Sequence, residues 1–252
     1  MRWVRMKTLN ALPKYALNKG TKIMKIRNLF IFISMFGLLI LGAGITGCAN
    51  TKLYSIDMRY DAAYALIPQY LKADDKMQDA IITLAEFIDM RKVDDRIVIG
   101  RVVEKDGVKI MVLPKYTKPT LAVAAGIKEY LIKAGYKVDG KIGEWDLKED
   151  SIPKVKGKII VGGSIEDLDF TCRKGFPTDT YKTNVKLNIV FADVVKKQIF
   201  YKNTVTSDSQ LEHVLFSEAR MADQVNAALG AAIEKAFEDR AVAQKIKEVI
   251  AR

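Results

Sequence analysis

Gly42, Gly44 and Gly47 form the pattern Gly-x-Gly-x-x-Gly, which in other proteins holds the pyrophosphate of a dinucleotide. That chemistry requires a strand before the glycines, a helix after them, and an acidic residue about 20 positions further on. Here residues 29–41 are almost entirely apolar and too long for an ordinary strand, and no helical periodicity begins after the third glycine. Asp57 follows Gly47 by only ten residues. The context therefore argues against a dinucleotide site.

The cysteine that follows these glycines belongs to a different pattern. Ile45, Thr46, Gly47 and Cys48 resemble the lipobox of bacterial lipoproteins, in which an aliphatic residue and two small residues precede the modified cysteine. The resemblance implies cleavage before Cys48, a diacylglyceryl group on its sulfur, and often a third acyl chain on its new amine. Fatty acyl chains of this kind hold a protein at a membrane surface.

The residues before the lipobox have the order of a secretory signal. Three positive side chains between residues 22 and 27 precede the apolar residues 29–41, as in signal peptides. Residues 1–47 are therefore predicted to be a signal peptide, and Met24 is an alternative start of translation. An uncleaved transmembrane anchor over residues 29–45 stays open, because this length is near the minimum for a span of about 20 residues.

The charge of the chain is concentrated in this signal. The 252 residues have a formal net charge of +11, which by itself favours a nucleic-acid-binding protein. However, eight of the 41 lysines and arginines, and none of the 30 acidic residues, lie in residues 1–47. The remaining 205 residues carry 33 positive and 30 negative side chains. The mature chain is thus nearly neutral, which disfavours nucleic-acid binding, and it is long enough for one hydrophobic core.

Few residues of the mature chain could carry out catalysis. His213, the single histidine, is expected on the surface in the first turn of a helix, which argues against His-rich metal sites and Ser-His-Asp triads. Cys172 is expected to be a small buried hydrophobe in a strand. Glu166, Asp167 and Asp169 could perform acid–base chemistry, but the strand pattern favours a solvated edge. We therefore predict no catalytic residue, metal or cofactor.

Strand and helix signals are intermixed in the first half of the mature chain. Apolar runs predict a strand at 79–88 and a hairpin between 97–103 and 108–113, joined by an Asp-Gly turn. Pro119 is predicted to begin a helix, which Gly135 ends in the left-handed conformation.

Longer strands are predicted further along the chain. A strand at 136–138 precedes a predicted loop at 139–157, which Trp145 could attach to the core. Residues 158–172 indicate a strand in which the apolar positions change from odd to even numbers. Strict alternation cannot bury both sets, so a β-bulge is predicted near Glu166.

The C-terminal part predicts two further strands and two helices. Residues 181–191 alternate apolar and polar side chains, which is typical of a sheet covered on one face, and 199–206 are predicted to pair back. The segment Ser209-Gln-Leu-Glu212 predicts a capping box that begins a long helix, and 242–250 predict a last helix. The predicted fold is α+β: an antiparallel or mixed sheet with one central helix and a C-terminal helical pair on one face.

A charged turn follows the first predicted strand. Asp89, Arg91, Asp94 and Arg96 alternate in charge within eight positions. They could form local ion pairs, each contributing about 0–1 kcal/mol if exposed. They could instead form a recognition surface for a partner, and both interpretations stay open.

Several of these segments resemble one family. Residues 82–91 followed by Val98-Ile-Gly-Arg101 are similar to the early strand and Asp-x-Arg turn of YajG-type bacterial lipoproteins. The helix that ends at Gly135-Tyr136, and the strands and helices of residues 158–252, continue the likeness. The resemblance implies a non-enzymatic envelope lipoprotein and transfers no catalytic residue.

These observations predict a lipidated tether and entry segment at 48–77 and a globular domain at 78–252. The expected function is an accessory or binding protein at the periplasmic membrane surface, attached to the membrane by its lipid. The alternative is an auxiliary lipoprotein subunit of an ABC transporter or envelope assembly, with an envelope protein as partner; an enzyme acting on envelope polymer is the third hypothesis. Ala49 replaces the aspartate that retains enterobacterial lipoproteins at the inner membrane, which predicts the outer membrane.

Overall fold

The computed structural model describes residues 52–74, 77 and 80–252. These residues form one mixed sheet of nine strands and three α-helices, which confirms the α+β class. The strands are β1 (Tyr54–Ile56), β2 (Ile81–Glu86), β3 (Ile88–Asp89), β4 (Gly100–Val103), β5 (Lys109–Pro114), β6 (Lys137–Glu144), β7 (Ile159–Arg173), β8 (Asp179–Asp193) and β9 (Gln198–His213). The helices are α1 (Pro119–Lys133), α2 (Glu218–Ala236) and α3 (Arg240–Ala251).

Strand β7 is the centre of the sheet. On one side it pairs antiparallel with β8 along its whole length, and β8 pairs antiparallel with β9. On the other side it pairs in parallel first with β2, then with β3 and finally with β4. Strand β6 extends the sheet beyond β2, whereas β5 and β1 extend it beyond β4. The sheet therefore divides into two branches between β3 and β4.

The predicted bulge in the long strand is confirmed. The register of β7 against β8 shifts between Ile165 and Asp167. Ile159 and Ile165 before the shift, and Leu168 and Phe170 after it, all belong to the main hydrophobic core. One extra residue thus lets both sets of apolar positions face the same core.

The first helix and hairpin lie where the sequence predicts them. Helix α1 begins at Pro119 and is followed by Gly135 with φ of 95°, a conformation that favours glycine. Gly107, with φ of 87°, lies in the turn that joins β4 and β5. Strand β4 is shorter than predicted, because residues 97–99 precede it and pairing begins at Gly100.

The predicted capping box at Ser209–Glu212 is wrong. These residues lie in β9, whose pairing with β8 continues as far as Asp179 and His213. Helix α2 begins only at Glu218 and is capped by the side chain of Ser217. Pairing with β8 provides hydrogen-bond partners for the backbone groups of residues 209–212. A capping box would provide partners for only some of these groups. His213 therefore ends a strand, and its predicted position in a helical turn is also wrong.

The loop predicted at 139–157 is shorter than expected. Strand β6 continues to Glu144 and pairs in parallel with β2. Its residues are mostly polar because it lies at an edge of the sheet, so hydropathy gave no strand signal. Trp145 follows directly and is 2% exposed, which confirms its attachment to a hydrophobic core.

Only part of β8 has a solvated face. Over residues 181–187 every second residue is buried, as predicted, but all of residues 188–193 are buried. Trp145 and Ile152 form a second, smaller hydrophobic cluster with Ile160, Val190 and other residues. This second cluster covers Val190 and Ala192, so the solvated face of β8 ends before these positions.

The main core draws on the N-terminal entry segment as well as on all three helices. Strand β1 pairs in parallel with β5, and the side chains of Tyr54, Ile56, Met58 and Tyr60 are buried. Within the part of the chain that the structure describes, no helix has both the length and the apolar character needed to cross a membrane.

Candidate functional site

A cleft lies where the two branches of the sheet separate. This branch cleft has a volume of about 550 Å³ and is lined by the ends of β2, β5 and β6 and by the start of α1. Carboxylates of Glu86, Asp89 and Glu144 line it together with the positive side chains of Arg96 and Lys118. The branch cleft therefore offers both signs of charge to a ligand.

The topology of the sheet brings these groups together. Strands β2 and β6 run parallel, and Glu86 is the register partner of Glu144, so both residues end their strands at one edge. Lys118 is the N-cap residue of α1 and makes no side-chain capping bond, while Pro119 and Thr120 also line the cleft. The first amides of a helix are electropositive. Crevices at the carboxyl ends of parallel strands are frequent ligand sites.

Apolar side chains complete the lining of the branch cleft. Ile97 and Tyr116 both line it and are exposed, Tyr116 to 74%. Ile88 and Pro114 contribute further apolar surface. A large apolar side chain beside charged residues of both signs suits a ligand that has both apolar and charged groups.

Arg91 lies buried next to this site. Its side chain is 1% exposed, and its Nε and Nη2 donate to the two carboxylate oxygens of Asp89 at 3.0 and 2.7 Å. Nη1 donates to the carbonyls of Val98 at 2.9 Å and Leu168 at 3.5 Å, and Nη2 also donates to the carbonyl of Arg96. All five N–H groups of the guanidinium therefore have acceptors.

The guanidinium fills the gap between the two branches. On this side of β7, strand pairing ends with β3 at Ile165 and resumes with β4 at Phe170. Between them, the carbonyl of Leu168 accepts a hydrogen bond from Arg91. A buried backbone carbonyl without a partner is costly, so Arg91 supplies a donor that a neighbouring strand would otherwise provide.

The ion pair changes the protonation equilibrium of Asp89. Burial by itself would raise the pKa of this carboxyl group, but the hydrogen bonds and the charge of Arg91 outweigh burial and lower the pKa below its usual value. Asp89 is therefore a carboxylate at neutral pH, and it holds Arg91 with two parallel hydrogen bonds.

The four residues of the predicted charged surface have different positions. Asp89 and Arg96 line the branch cleft, whereas Asp94 lines a second groove of about 420 Å³ on the other side of loop 90–98. Asp94 and Arg96 are exposed. Arg91 is inside the protein, where it holds the loop that separates the two grooves.

Of the residues that line the cleft, sequence reasoning proposed only Asp89 and Arg96 as site residues. Glu86 and Glu144 become neighbours only through the parallel pairing of β2 with β6. Tyr116 had a detectable signal, because an aromatic residue between Pro114 and Pro119 lies in a segment that cannot be a regular strand or helix.

The three carboxylates near the bulge have separate partners. Their partners are Ser164 for Glu166, Asn184 for Asp167 and Arg101 for Asp169. Each of the three is thus held by a different neighbour, which is not the arrangement of a paired acid–base site. Among the residues that the structure describes, no group of three or more His, Cys, Asp or Glu side chains could hold a metal ion.

The two other residues considered for chemistry, Cys172 and His213, make contacts that belong to the fold. Cys172 is fully buried in β7, as predicted, and burial raises the pKa of its thiol to about 12. It therefore remains a thiol at neutral pH. The ring of His213 accepts a hydrogen bond from the amide of Leu215 at 3.0 Å. The predicted cleavage and lipidation residues, Ile45, Thr46, Gly47 and Cys48, lie outside the described residues.

The sequence matches no family model and no curated protein sequence. The fold is similar to that of a Xanthomonas campestris protein of the DUF330 family, with 8% identity, 78% of this chain and 99% of that chain covered, and a TM-score of 0.48. A neuraminyllactose-binding hemagglutinin homolog from Helicobacter pylori has 11% identity, 75% and 98% coverage, and a TM-score of 0.43.

Lipoprotein GNA1162 from Neisseria meningitidis has 9% identity, 60% and 96% coverage, and a TM-score of 0.32. With identities this low and TM-scores below 0.5, these three likenesses assign neither family nor function to this chain. The YajG-type family therefore stays a prediction from the sequence.

Proposed function

We propose that this chain is a non-enzymatic, lipid-anchored lipoprotein of the cell envelope that acts as an accessory or binding protein. The observation that carries the proposal is the position of Cys48, which ends a lipobox-like tetrapeptide directly after a signal-like segment. A single acyl chain of myristoyl size gives only marginal membrane attachment, whereas two or more give stable attachment. The modification implied by the resemblance therefore keeps the folded body at a membrane surface.

The proposed location is the periplasmic face of an outer membrane. It rests on Ala49, because enterobacterial lipoproteins that stay at the inner membrane carry aspartate at this position of the mature chain. The body then has access to other proteins of the envelope.

The branch cleft is the proposed binding site of this body. Its exposed Tyr116 and Ile97 offer apolar contact, and Glu86, Glu144 and Lys118 offer charge of both signs. This chemistry fits an exposed segment of another protein, with an apolar side chain flanked by charged ones, better than a small ion. Binding of a protein at the cleft is also compatible with the alternative function, in which this chain is an auxiliary subunit of an ABC transporter or envelope assembly.

Mass spectrometry of the native protein tests the anchor. The proposal predicts a mature N-terminus at Cys48 whose mass includes a diacylglyceryl group. The variant Cys48→Ala should lose the acyl mass and leave the 47–48 peptide bond intact. A native protein with that bond intact and an unmodified thiol would exclude the anchor.

Photo-crosslinking in cells tests the cleft. A photoreactive phenylalanine at Tyr116 should capture one envelope protein, which mass spectrometry identifies. The matched control is the same group at Val195, which is 78% exposed in the turn between β8 and β9. Capture of a permease or substrate-binding component would select the transporter alternative, and equal adducts from both positions would exclude the cleft as the binding site.

A further inference from the structure

Three loops lie together at one end of the sheet, remote from the branch cleft. The loops are 104–108 between β4 and β5, 174–178 between β7 and β8, and 214–217 between β9 and α2. Strand pairing places them together, because Val103 pairs with both Lys109 and Arg173. Asp179 pairs with His213 at the same end of β8 and β9. We call these three loops the loop apex.

The loop apex exposes large apolar side chains. Phe176 is 93% exposed, which is more than any other large apolar residue of the described chain. Val108, Val214 and Leu215 are also exposed, and they come from the other two loops. Exposed apolar side chains on loops at the same end of a sheet mark a contact surface more strongly than scattered single residues do.

Below these exposed side chains lies a set of residues in contact with one another, which we call the base: Tyr54, Glu104, Lys174, Tyr181 and Phe216. The Lys174 ammonium lies 2.9 Å from a carboxylate oxygen of Glu104 and 4.2 Å from the centre of the Phe216 ring. The Phe216 ring packs edge-on against Tyr54 at 5.2 Å between ring centres. The hydroxyl of Tyr181 donates to the carbonyl of Leu215 at 3.3 Å. The base therefore ties β1, the hairpins and the loop before α2 to one another.

Lysines and arginines accompany the apolar side chains. The loop apex, its flanking strand ends, the first residue of α2 and the entry residue Lys52 contain five positive and four negative side chains. The positive ones are Lys52, Lys105, Lys109, Arg173 and Lys174, and the negative ones are Glu104, Asp106, Asp179 and Glu218. Asp179 is buried, so it adds little to the charge of this surface. Lys105 lies 5.9 Å from the centre of the Phe176 ring. Exposed aromatic and aliphatic side chains among lysines are the composition that suits the interface of a bilayer with anionic lipids.

The chain also enters the folded body at this end. Strand β1 runs parallel to β5, so Lys52 lies at the same end of the sheet as Lys109. The ammonium of Lys52 is 3.9 Å from a carboxylate oxygen of Glu104 in the loop apex. Four residue steps separate Cys48 from Lys52, and an extended chain spans at most about 14 Å over that distance. An acyl group on Cys48 would therefore keep the loop apex close to the bilayer.

We propose that the loop apex is a membrane-contact surface that inserts Phe176, Val214 and Leu215 into the interface of the bilayer that holds the lipid anchor. The surrounding lysines contact anionic headgroups. The inference rests on the proposed function, because the anchor selects which end of the body meets the membrane. Contact at the apex fixes the orientation of the body, and the branch cleft then lies at the end of β5 that is farther from the bilayer.

Tryptophan quenching by brominated lipids tests the contact. Phe176→Trp places a reporter in the loop apex, and Val195→Trp places a control reporter at another exposed position, in the turn between β8 and β9 at the opposite end. Each full-length variant is expressed in cells, purified from their membranes and reconstituted into vesicles of phosphatidylcholine and phosphatidylglycerol that carry bromine on the acyl chains. Quenching of the parent protein, which contains Trp145, is subtracted.

The expected result is strong quenching and a blue-shifted emission for Phe176→Trp and no quenching above the parent for Val195→Trp. The mass of the Cys48 peptide is measured on the same samples. Acylated, vesicle-bound protein with equal quenching of the two variants would overturn the membrane-contact surface and leave the anchor intact. Crosslinking of another envelope protein by a photoreactive phenylalanine at position 176 would have the same meaning. Protein without an acyl group would overturn the proposed function, and with it this inference.

Discussion

The loop apex and the branch cleft lie at opposite ends of β5, and both combine exposed apolar side chains with charge. They differ in what supports them. The apex rests on part-exposed contacts among Lys174, Glu104 and Phe216, whereas the cleft depends on Arg91, which is buried with every N–H group paired. A turn at a strand end can expose apolar residues with little effect on the sheet. A gap inside a sheet has to be filled by a group that satisfies the backbone on both sides.

The largest expected effect is the loss of this buried guanidinium. Arg91→Ala should lower the free energy of unfolding by about 3–5 kcal/mol, because Asp89 loses its two side-chain hydrogen bonds and its countercharge, and three backbone carbonyls lose a donor. Urea denaturation of the folded body measures the change. The matched control is Arg96→Ala, which removes an exposed side chain five positions away and should change the stability by no more than about 0.5 kcal/mol. Equal losses in the two variants would contradict a structural role specific to Arg91.

A smaller and pH-dependent effect is expected for the partner carboxylate. Because the pKa of Asp89 is lowered in the folded protein, its ionised form stabilises the fold at pH above the unfolded value of about 3.9. That contribution is lost as the pH falls through the folded pKa. Asp89→Asn should therefore be less stable than the parent at neutral pH, and the difference should shrink below about pH 4. Urea midpoints from pH 7 to pH 3 measure it, and a difference that stays constant with pH would refute the assignment.

At the apex, the base should matter to stability more than the side chains above it. Phe216→Ala should lower the free energy of unfolding by about 2 kcal/mol, because it removes the ring contact with Tyr54 and the contact with the Lys174 ammonium. Leu215→Ala is the control, because Leu215 is the residue next to Phe216 and its own side chain is exposed. Comparable thermal denaturation midpoints for the two variants would show that the base does not support the loops.

The smallest effect is expected at the tip of the apex. Phe176→Ser should change the free energy of unfolding by no more than about 0.5 kcal/mol, because the ring is 93% exposed. The same measurement on Val195→Ser gives the reference for an exposed turn residue. A loss above about 1 kcal/mol would mean that Phe176 packs against the body and is not free to enter a bilayer.

Local patterns predicted the elements whose signals lie within a few residues. Pro119 and Gly135 bound α1, and the change of apolar parity before Phe170 located the bulge. The same reasoning failed at Ser209–Glu212, where a capping motif competes with a strand. Pairing with the full length of β8 decided that competition, and this long-range contact leaves no local signature.

The candidate site was predictable only in part. The charged turn after the first strand was visible in the sequence, but the exposure of Arg96 and the burial of Arg91 were not. Two arginines in one charged turn have similar local surroundings in the sequence. Only the gap between Ile165 and Phe170 on β7 selects which of them becomes buried.

By itself, the sequence determined the order of helices and strands after the entry segment, the bulge, the near-neutral charge of the mature chain and the lipobox-like segment that predicts an anchor. The tertiary structure decided which charges meet and which apolar side chains face outward. Periodicity and capping depend on neighbours along the chain, whereas the cleft and the apex depend on parallel pairings between strands that are remote in sequence. Burial, and with it the pKa of Asp89, follows from those pairings.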